Sequence, residues 1–142
     1  MRSFRSLPYL VLLLLISCQS GEESKPISSE NDIDAARNFI RAALDGKWTD
    51  ARRFILQDSL NSQFLDTYER NYQTHMTRED KRGYREATIK LYTTEQLNDT
   101  VSIVHYSNSY INQKNALKVI RRAGQWLVDL KYSFTQTDST KQ

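Results

Sequence analysis

The apolar residues of this chain change their spacing once, near Glu86, and that change limits what it can fold into. Before it they recur every three or four residues, the period of a helix with one buried face. After it they alternate with polar residues, the period of a strand with one face on a core and one largely solvated. Helices first and an antiparallel meander afterwards is an α+β order, with helices segregated to one face of a curved sheet.

The helical half carries its own punctuation. Asn31 or Asp32 can cap a first helix, and Asp34 sits well in its first turn. Ile33, Ala36, Phe39, Ile40, Ala43 and Leu44 form its apolar face, and Gly46 ends it as a left-handed glycine. Thr49 starts a second helix, with Ala51, Phe54, Ile55 and Leu56 on its buried side. Asp58 or Ser59 caps a third, with Leu60, Phe64, Leu65, Tyr68 and Tyr72 along one side. Thr77 caps a short helical turn expected to stop near Gly83. Four strands follow. Ile89 and Leu91 alternate with Thr88, Lys90 and Tyr92 in the first, and Asn98-Asp99 turns the chain. The second runs from Thr100 to Asn112, with Val101, Ile103 and His105 on one face and Ser102, Val104 and Tyr106 on the other. Ala116 to Arg122 and Trp126 to Phe134 complete the sheet around a tight turn at Ala123-Gly124-Gln125. Asp129 falls on the face opposite Trp126 and Val128, which predicts a solvent-facing carboxylate.

The amino terminus is of another kind. Arg2 and Arg5 precede an apolar run from Leu7 to Ile16, then a small residue and Cys18, the one cysteine of the chain. A positive start, a short apolar run and a small residue before the cut are the parts of a secretory signal. The run is about ten residues, and a bilayer span needs about twenty, so cleavage is expected rather than a membrane helix. Leu15-Ile16-Ser17-Cys18 resembles the bacterial lipobox, which implies a signal peptide over 1–17 and a mature chain beginning at a lipidated Cys18. With no other cysteine to pair with, a bare thiol would be a liability in an exported protein. Gln19 stands where an inner-membrane retention Asp would stand, and the resemblance therefore implies an outer-membrane lipoprotein of the cell envelope, on its periplasmic or surface face. Glu22 and Glu23 resemble, weakly, the acidic surface-export signals of Bacteroidetes lipoproteins.

Removing the leader also removes an apparent basicity. The whole chain is +3, with an isoelectric point near 9.0. Without Arg2 and Arg5, 18 basic side chains face 17 acidic ones. No basic stripe with interleaved aromatics remains, so a nucleic-acid partner is not expected. The polar stretch to residue 31, with Pro26, reads as a tether, 32–134 as the folded domain and 135–142 as a disordered tail.

Two segments carry a family resemblance. Phe39 to Ile55 reads FIRAALDGKWTDARRFI, and Gly124 to Leu130 reads GQWLVDL. Together they resemble small exported domains of unknown function in the nuclear transport factor 2-like superfamily, over most of the folded body. The resemblance implies a cone-like fold whose four-stranded sheet wraps a helix and leaves a pocket at its wide end. It also implies ligand binders, isomerases, dehydratases and lipoproteins without assigned activity as relatives.

Chemistry is sparse. His105, if aimed into the cone, could act as a general base beside a carboxylate, with Tyr106 and Tyr110 as further pocket candidates. The simpler account of His105 is a sheet-face residue making one hydrogen bond. His75, in a polar stretch, is expected in solvent, and the body has no set of His and Cys to complete a zinc site. No cofactor and no catalytic constellation is expected. Eight tyrosines and two tryptophans could stack on a ligand at a cone mouth, or pack helices on the sheet. Asp58-Ser59-Leu60, Asp99-Thr100-Val101 and Asp138-Ser139-Thr140 resemble Bacteroidetes O-glycosylation sites, which would modify Ser59, Thr100 and Ser139; capping and turn chemistry uses the same residues. The favoured function is a lipid-anchored, non-catalytic binding or scaffolding domain for an unknown protein or small-molecule ligand. The alternatives are an isomerase- or dehydratase-type enzyme using a cone pocket, and an inhibitor- or immunity-type interaction module.

Overall fold

A computed structural model of the chain describes residues 28–133. The expected leader over 1–17, Cys18, Gln19, Glu22, Glu23, Phe134 and Ser139 lie outside the described residues.

The expected α+β order holds. Helix α1 spans Asp32–Leu44 and starts where predicted: Asn31 is extended and its side chain accepts from the Asp34 amide at 2.9 Å. Ala35, Ala36, Phe39, Ile40, Ala42 and Leu44 form its buried face. It ends at Gly46, which adopts φ +73°. A side chain there would be strained, and its Cβ would come within 2.8 Å of the Tyr72 hydroxyl. Helix α2, Trp48–Ala51, runs into a 3-10 turn at Arg52–Phe54. Helix α3, Ser59–His75, is capped by the Asp58 carboxylate, which accepts from the Asn61 amide at 2.8 Å. Helix α4, Arg78–Glu86, opens with a complete capping box between Thr77 and Asp80. Among the described residues no helix is long and apolar enough to cross a membrane.

The sheet is an antiparallel meander, β1 Ile89–Asn98, β2 Val101–Asn108, β3 Asn115–Arg122 and β4 Gln125–Asp129, in the order β1-β2-β3-β4. Register shifts between Leu91 and Thr94 and between Gln96 and Asn98 add bend and twist to the β1–β2 pair. The β3–β4 turn places Ala123 at φ 49° and Gly124 at φ 79°, both in the left-handed region that suits a two-residue hairpin. On the far edge Ile55 bridges in parallel to Val128, and the Leu56 amide donates to the Val128 carbonyl at 2.9 Å. Val104, Leu117, Val119 and Val128 meet the α1 face, Leu65 and Leu130 in one core. The polar Ser102 shares the Val104 face by strand alternation, and its hydroxyl is satisfied there by donating to Asp32, at the start of α1.

Four expectations are corrected. Gly83 does not stop α4, which continues to Glu86. Instead the Tyr110 ring lies where a Cβ at Gly83 would project. The last strand stops at Asp129, and residues 130–133 turn into a helix. The reason is a tertiary contact: the Leu130 amide donates to the Asn61 side chain at 2.7 Å rather than to a neighbouring strand. Leu60 is 44% exposed, so it does not continue the buried side of α3. Asp129 is buried, not solvent-facing, because the α3 N-terminus covers it through Asn61.

Candidate functional site

The helices and the sheet do not fill all the space between them. A half-open cavity of about 360 Å³ remains, walled by α1, α2, α3 and the junction to α4 on one side and by β2 and β3 on the other. That volume lies at the lower end of the range of small-molecule sites, about 300–1,000 Å³. Phe39, Ile40, Leu44, Leu117 and Leu130 supply buried apolar surface. Trp48, Tyr68, Tyr72, Tyr84 and Tyr106 supply aromatic rings, and Asn71, Asn108 and Asn115 supply amides. Asn71 and Asn115 are exposed and mark the mouth.

Each ring is placed by an element boundary or a face. Trp48 is the first residue of α2, set immediately after the Gly46 turn, and meets Tyr72 edge-on with centroids 5.4 Å apart. Tyr68 and Tyr72 are one helical turn apart on α3. Lys81 of α4 sits over the Tyr72 ring at 5.2 Å. Tyr106 reaches the cavity because it shares the Val104 face of β2. The Asn108 carboxamide oxygen accepts from the Tyr110 and Ile111 amides at 3.1 and 3.0 Å, which fixes the turn after β2.

The cavity lining has no carboxylate, imidazole, amine or thiol among the described residues. Its titratable groups are phenols. Desolvation pushes the Tyr106 phenol well above its ordinary range, and repulsion from Tyr68 and Tyr84 adds to the shift. Tyr106 lines the cavity, is half-buried and is strongly desolvated. Desolvation also raises Tyr68, and desolvation followed by the Asp80 charge raises Tyr84. All three therefore stay neutral at physiological pH and can donate hydrogen bonds. One further donor stands out: the Trp48 Nε1–H is buried and has no hydrogen-bond partner.

The sequence-predicted candidates separate. Tyr106 lines the cavity. Tyr110 lies beside it: its hydroxyl donates to Asp80 Oδ1 at 2.8 Å and its ring meets Tyr84 edge-on at 5.1 Å. His105 is on the opposite face of β2, with Nε2 2.8 Å from Glu95 Oε1 and its side chain 36% exposed. An acid–base role in the cavity is thus closed to it by strand alternation. Ser59 and Thr100 are both exposed, Ser59 opening α3 and Thr100 donating through its hydroxyl to Asn98 Oδ1 at 2.9 Å. His75 is exposed, as expected.

The sequence reading missed how Trp48, Tyr68, Tyr72 and Tyr84 converge. Its signal was the aromatic line Phe64, Tyr68, Tyr72 on one helix, but nothing in that line says that α2 and α4 bring Trp48 and Tyr84 to it.

A second polar cluster lies at the other end of α3. Asn61, fully buried, donates to Asp58 Oδ2 at 2.9 Å and to Asp129 Oδ1 at 3.3 Å while accepting from the Leu130 amide. Lys131 reaches Asp58 at 3.1 Å and Asp129 at 3.5 Å. The backbone and side-chain hydrogen bonds of Asn61, helped by Lys131, pull the Asp58 carboxyl down to about 2. Every member is committed to another, so this cluster joins helix to sheet and leaves no group for a ligand.

Compared with protein-family models, with curated proteins and with solved structures, the chain matches none.

Proposed function

We propose that this is a lipid-anchored cell-envelope domain of nuclear transport factor 2-like type, which binds a small molecule in its aromatic cavity without transforming it. The observation that carries the reading is the composition of the cavity. Its rings and apolar side chains provide contact area, its amides and phenols provide orientation, and its lining among the described residues holds no carboxylate, imidazole, amine or thiol. General acid–base chemistry is most efficient with a group whose pKa lies near the operating pH. The anchor rests on the lipobox-like Leu15-Ile16-Ser17-Cys18 and on the polar stretch that would let the domain stand off the membrane.

N-phenyl-1-naphthylamine, an uncharged dye that fluoresces in apolar sites, tests both halves. The lipidated chain should bind it at one site and pellet with membranes. Cys18→Ser should leave the membrane fraction and bind the dye equally well. Asn71→Trp, which places a bulky ring on an exposed helical position at the mouth, should weaken binding at least tenfold. Dye bound equally by Asn71→Trp would place the site elsewhere, and a Cys18→Ser chain that still pelleted would remove the lipid anchor.

A further inference from the structure

We propose that the cavity takes an amphipathic molecule, apolar end first, whose head presents a carbonyl oxygen to the side-chain amide N–H groups of Asn108 at the rim. The inference rests on the cavity being the binding site and specifies what enters it and which way round.

The walls change character with depth, and they change in the same direction. On the sheet, Val104 pairs across the strands with Leu117, and both are buried. The next pair on that face is Tyr106 with Asn115, and Asn108 follows. On α3 the buried Leu65 gives way to Tyr68 and then to Asn71 and Tyr72. Asn71 and Asn115 are exposed at the mouth, whereas Phe39, Ile40, Leu44, Leu117 and Leu130 lie buried inside. A molecule that enters apolar end first covers hydrocarbon with hydrocarbon and keeps its head among polar groups.

Asn108 says what the head must carry. It is only 7% exposed and lines the cavity. Its Oδ1 accepts from the Tyr110 and Ile111 amides, which orients the carboxamide and leaves its Nδ2 donors to be satisfied. That nitrogen has no hydrogen-bond partner among the described residues, yet it is not sealed off: there, Trp48 Nε1 is the one side-chain nitrogen or oxygen both shielded and unpartnered. The solvent that reaches Asn108 Nδ2 is that of the cavity, because Asn108 shares the helix-facing side of β2 with Val104 and Tyr106. Donors on so buried a side chain call for an acceptor. The neutral Tyr106 phenol, two residues away on the same face, is a further donor.

Charge does not select the head. Lys81 Nζ stands 5.2 Å from the Tyr72 ring centroid and brings a positive charge near the lining, while the charge of Asp80 reaches Tyr84. With both signs beside the cavity, what the rim recognises is the oxygen, which a carboxylate, an ester or an amide would each present.

The test adds three probes built on one ring system to the full lipidated chain in phospholipid nanodiscs, with empty nanodiscs as the blank. 2-Naphthoate and methyl 2-naphthoate carry the oxygen with and without charge, and 2-ethylnaphthalene lacks it. Both oxygen-bearing probes should bind about tenfold more tightly than the hydrocarbon, the scale of one good buried hydrogen bond. Asn108→Asp keeps an oxygen for the Tyr110 and Ile111 amides and replaces the donors with a second oxygen; it should erase the ester's advantage and leave hydrocarbon binding unchanged. Should that variant fold poorly, proton–proton Overhauser contacts in the unaltered chain decide: the ester methyl should lie near the Asn108 side-chain amide and the naphthalene ring near the Leu117 and Leu130 methyls. Hydrocarbon binding as tight as that of either oxygen-bearing probe, an ester advantage that survives in a folded Asn108→Asp, or the reversed set of contacts would overturn the inference while the cavity stays a binding site. Binding of none of the three would overturn the cavity reading itself.

Discussion

Asp58 shows how much one residue can carry. Its side chain caps α3, accepts from the buried Asn61 amide group and holds Lys131. These hydrogen bonds favour the charged carboxylate, and its pKa falls from the ordinary 3.8 to about 2. A carboxylate depressed in the folded state contributes stability that is complete above pH 4 and is lost as the pH falls toward 2. Asp58→Asn retains a capping side chain but cannot titrate. Thermal melts of the two chains between pH 2 and 7 should therefore show the full advantage of the unaltered chain above about pH 4, shrinking as the pH falls until the two converge near pH 2. Parallel curves across that range would mean that Asp58 does not contribute to acid sensitivity. The cap itself was legible from sequence, since Asp58 precedes an apolar-periodic stretch. Its ion pair with Lys131 was not, because that residue lies over seventy positions along the chain. The same limit applied to His105 and Tyr106. Alternation put them on opposite faces, but β2 has apolar residues on both, Val101 and Ile103 on one and Val104 on the other, and the pattern alone could not say which face is inside.

At the scale of elements, helix starts were the most readable feature. Asn31, Asp58 and Thr77 each cap as their residue types predict, because capping involves only residues within three positions. Ends were less readable. Gly46 stops α1 through a left-handed backbone, whereas Gly83 sits inside α4 because the Tyr110 ring occupies the space of a side chain. In sequence the two glycines look alike. This yields an inverted mutational effect. Alanine in place of a mid-helix glycine normally stabilises by about 1 kcal/mol. Gly83→Ala should instead destabilise, since its methyl displaces Tyr110 and breaks the hydroxyl bond to Asp80. In a Tyr110→Ala background the same change should stabilise by about the normal amount. Urea denaturation of the four chains measures this cycle, and additive effects would show that the ring does not restrain Gly83. The last strand fails for a similar reason: its apolar alternation continues past Asp129, but Asn61 takes the Leu130 amide out of the ladder.

For the whole molecule, a few side chains lock the layers together. Arg41 of α1 donates to the Tyr84, Arg85 and Ala87 carbonyls at the end of α4 and pairs with Asp45 at 2.7 Å. It thus adds a charged donor to carbonyls at the helix end, beside the cavity wall carrying Tyr84; of these the Tyr84 carbonyl also accepts from the Ala87 amide at 3.2 Å. Arg41→Ala should cost about 2–3 kcal/mol, the scale of losing charged hydrogen bonds. Arg41→Lys should recover only part of it, because a single ammonium cannot span the same fork of acceptors. Denaturant midpoints check both, and full recovery by lysine would reduce Arg41 to a point charge. The order of elements, their caps and the sheet's alternation were determined by the sequence itself, since each depends on residues a few positions apart. The cavity, the convergence of Trp48, Tyr68, Tyr72, Tyr84 and Tyr106, the exclusion of His105 and the burial of Asp129 were decided only by tertiary structure. Those features depend on which surfaces of distant elements meet, and packing, not periodicity, makes that choice.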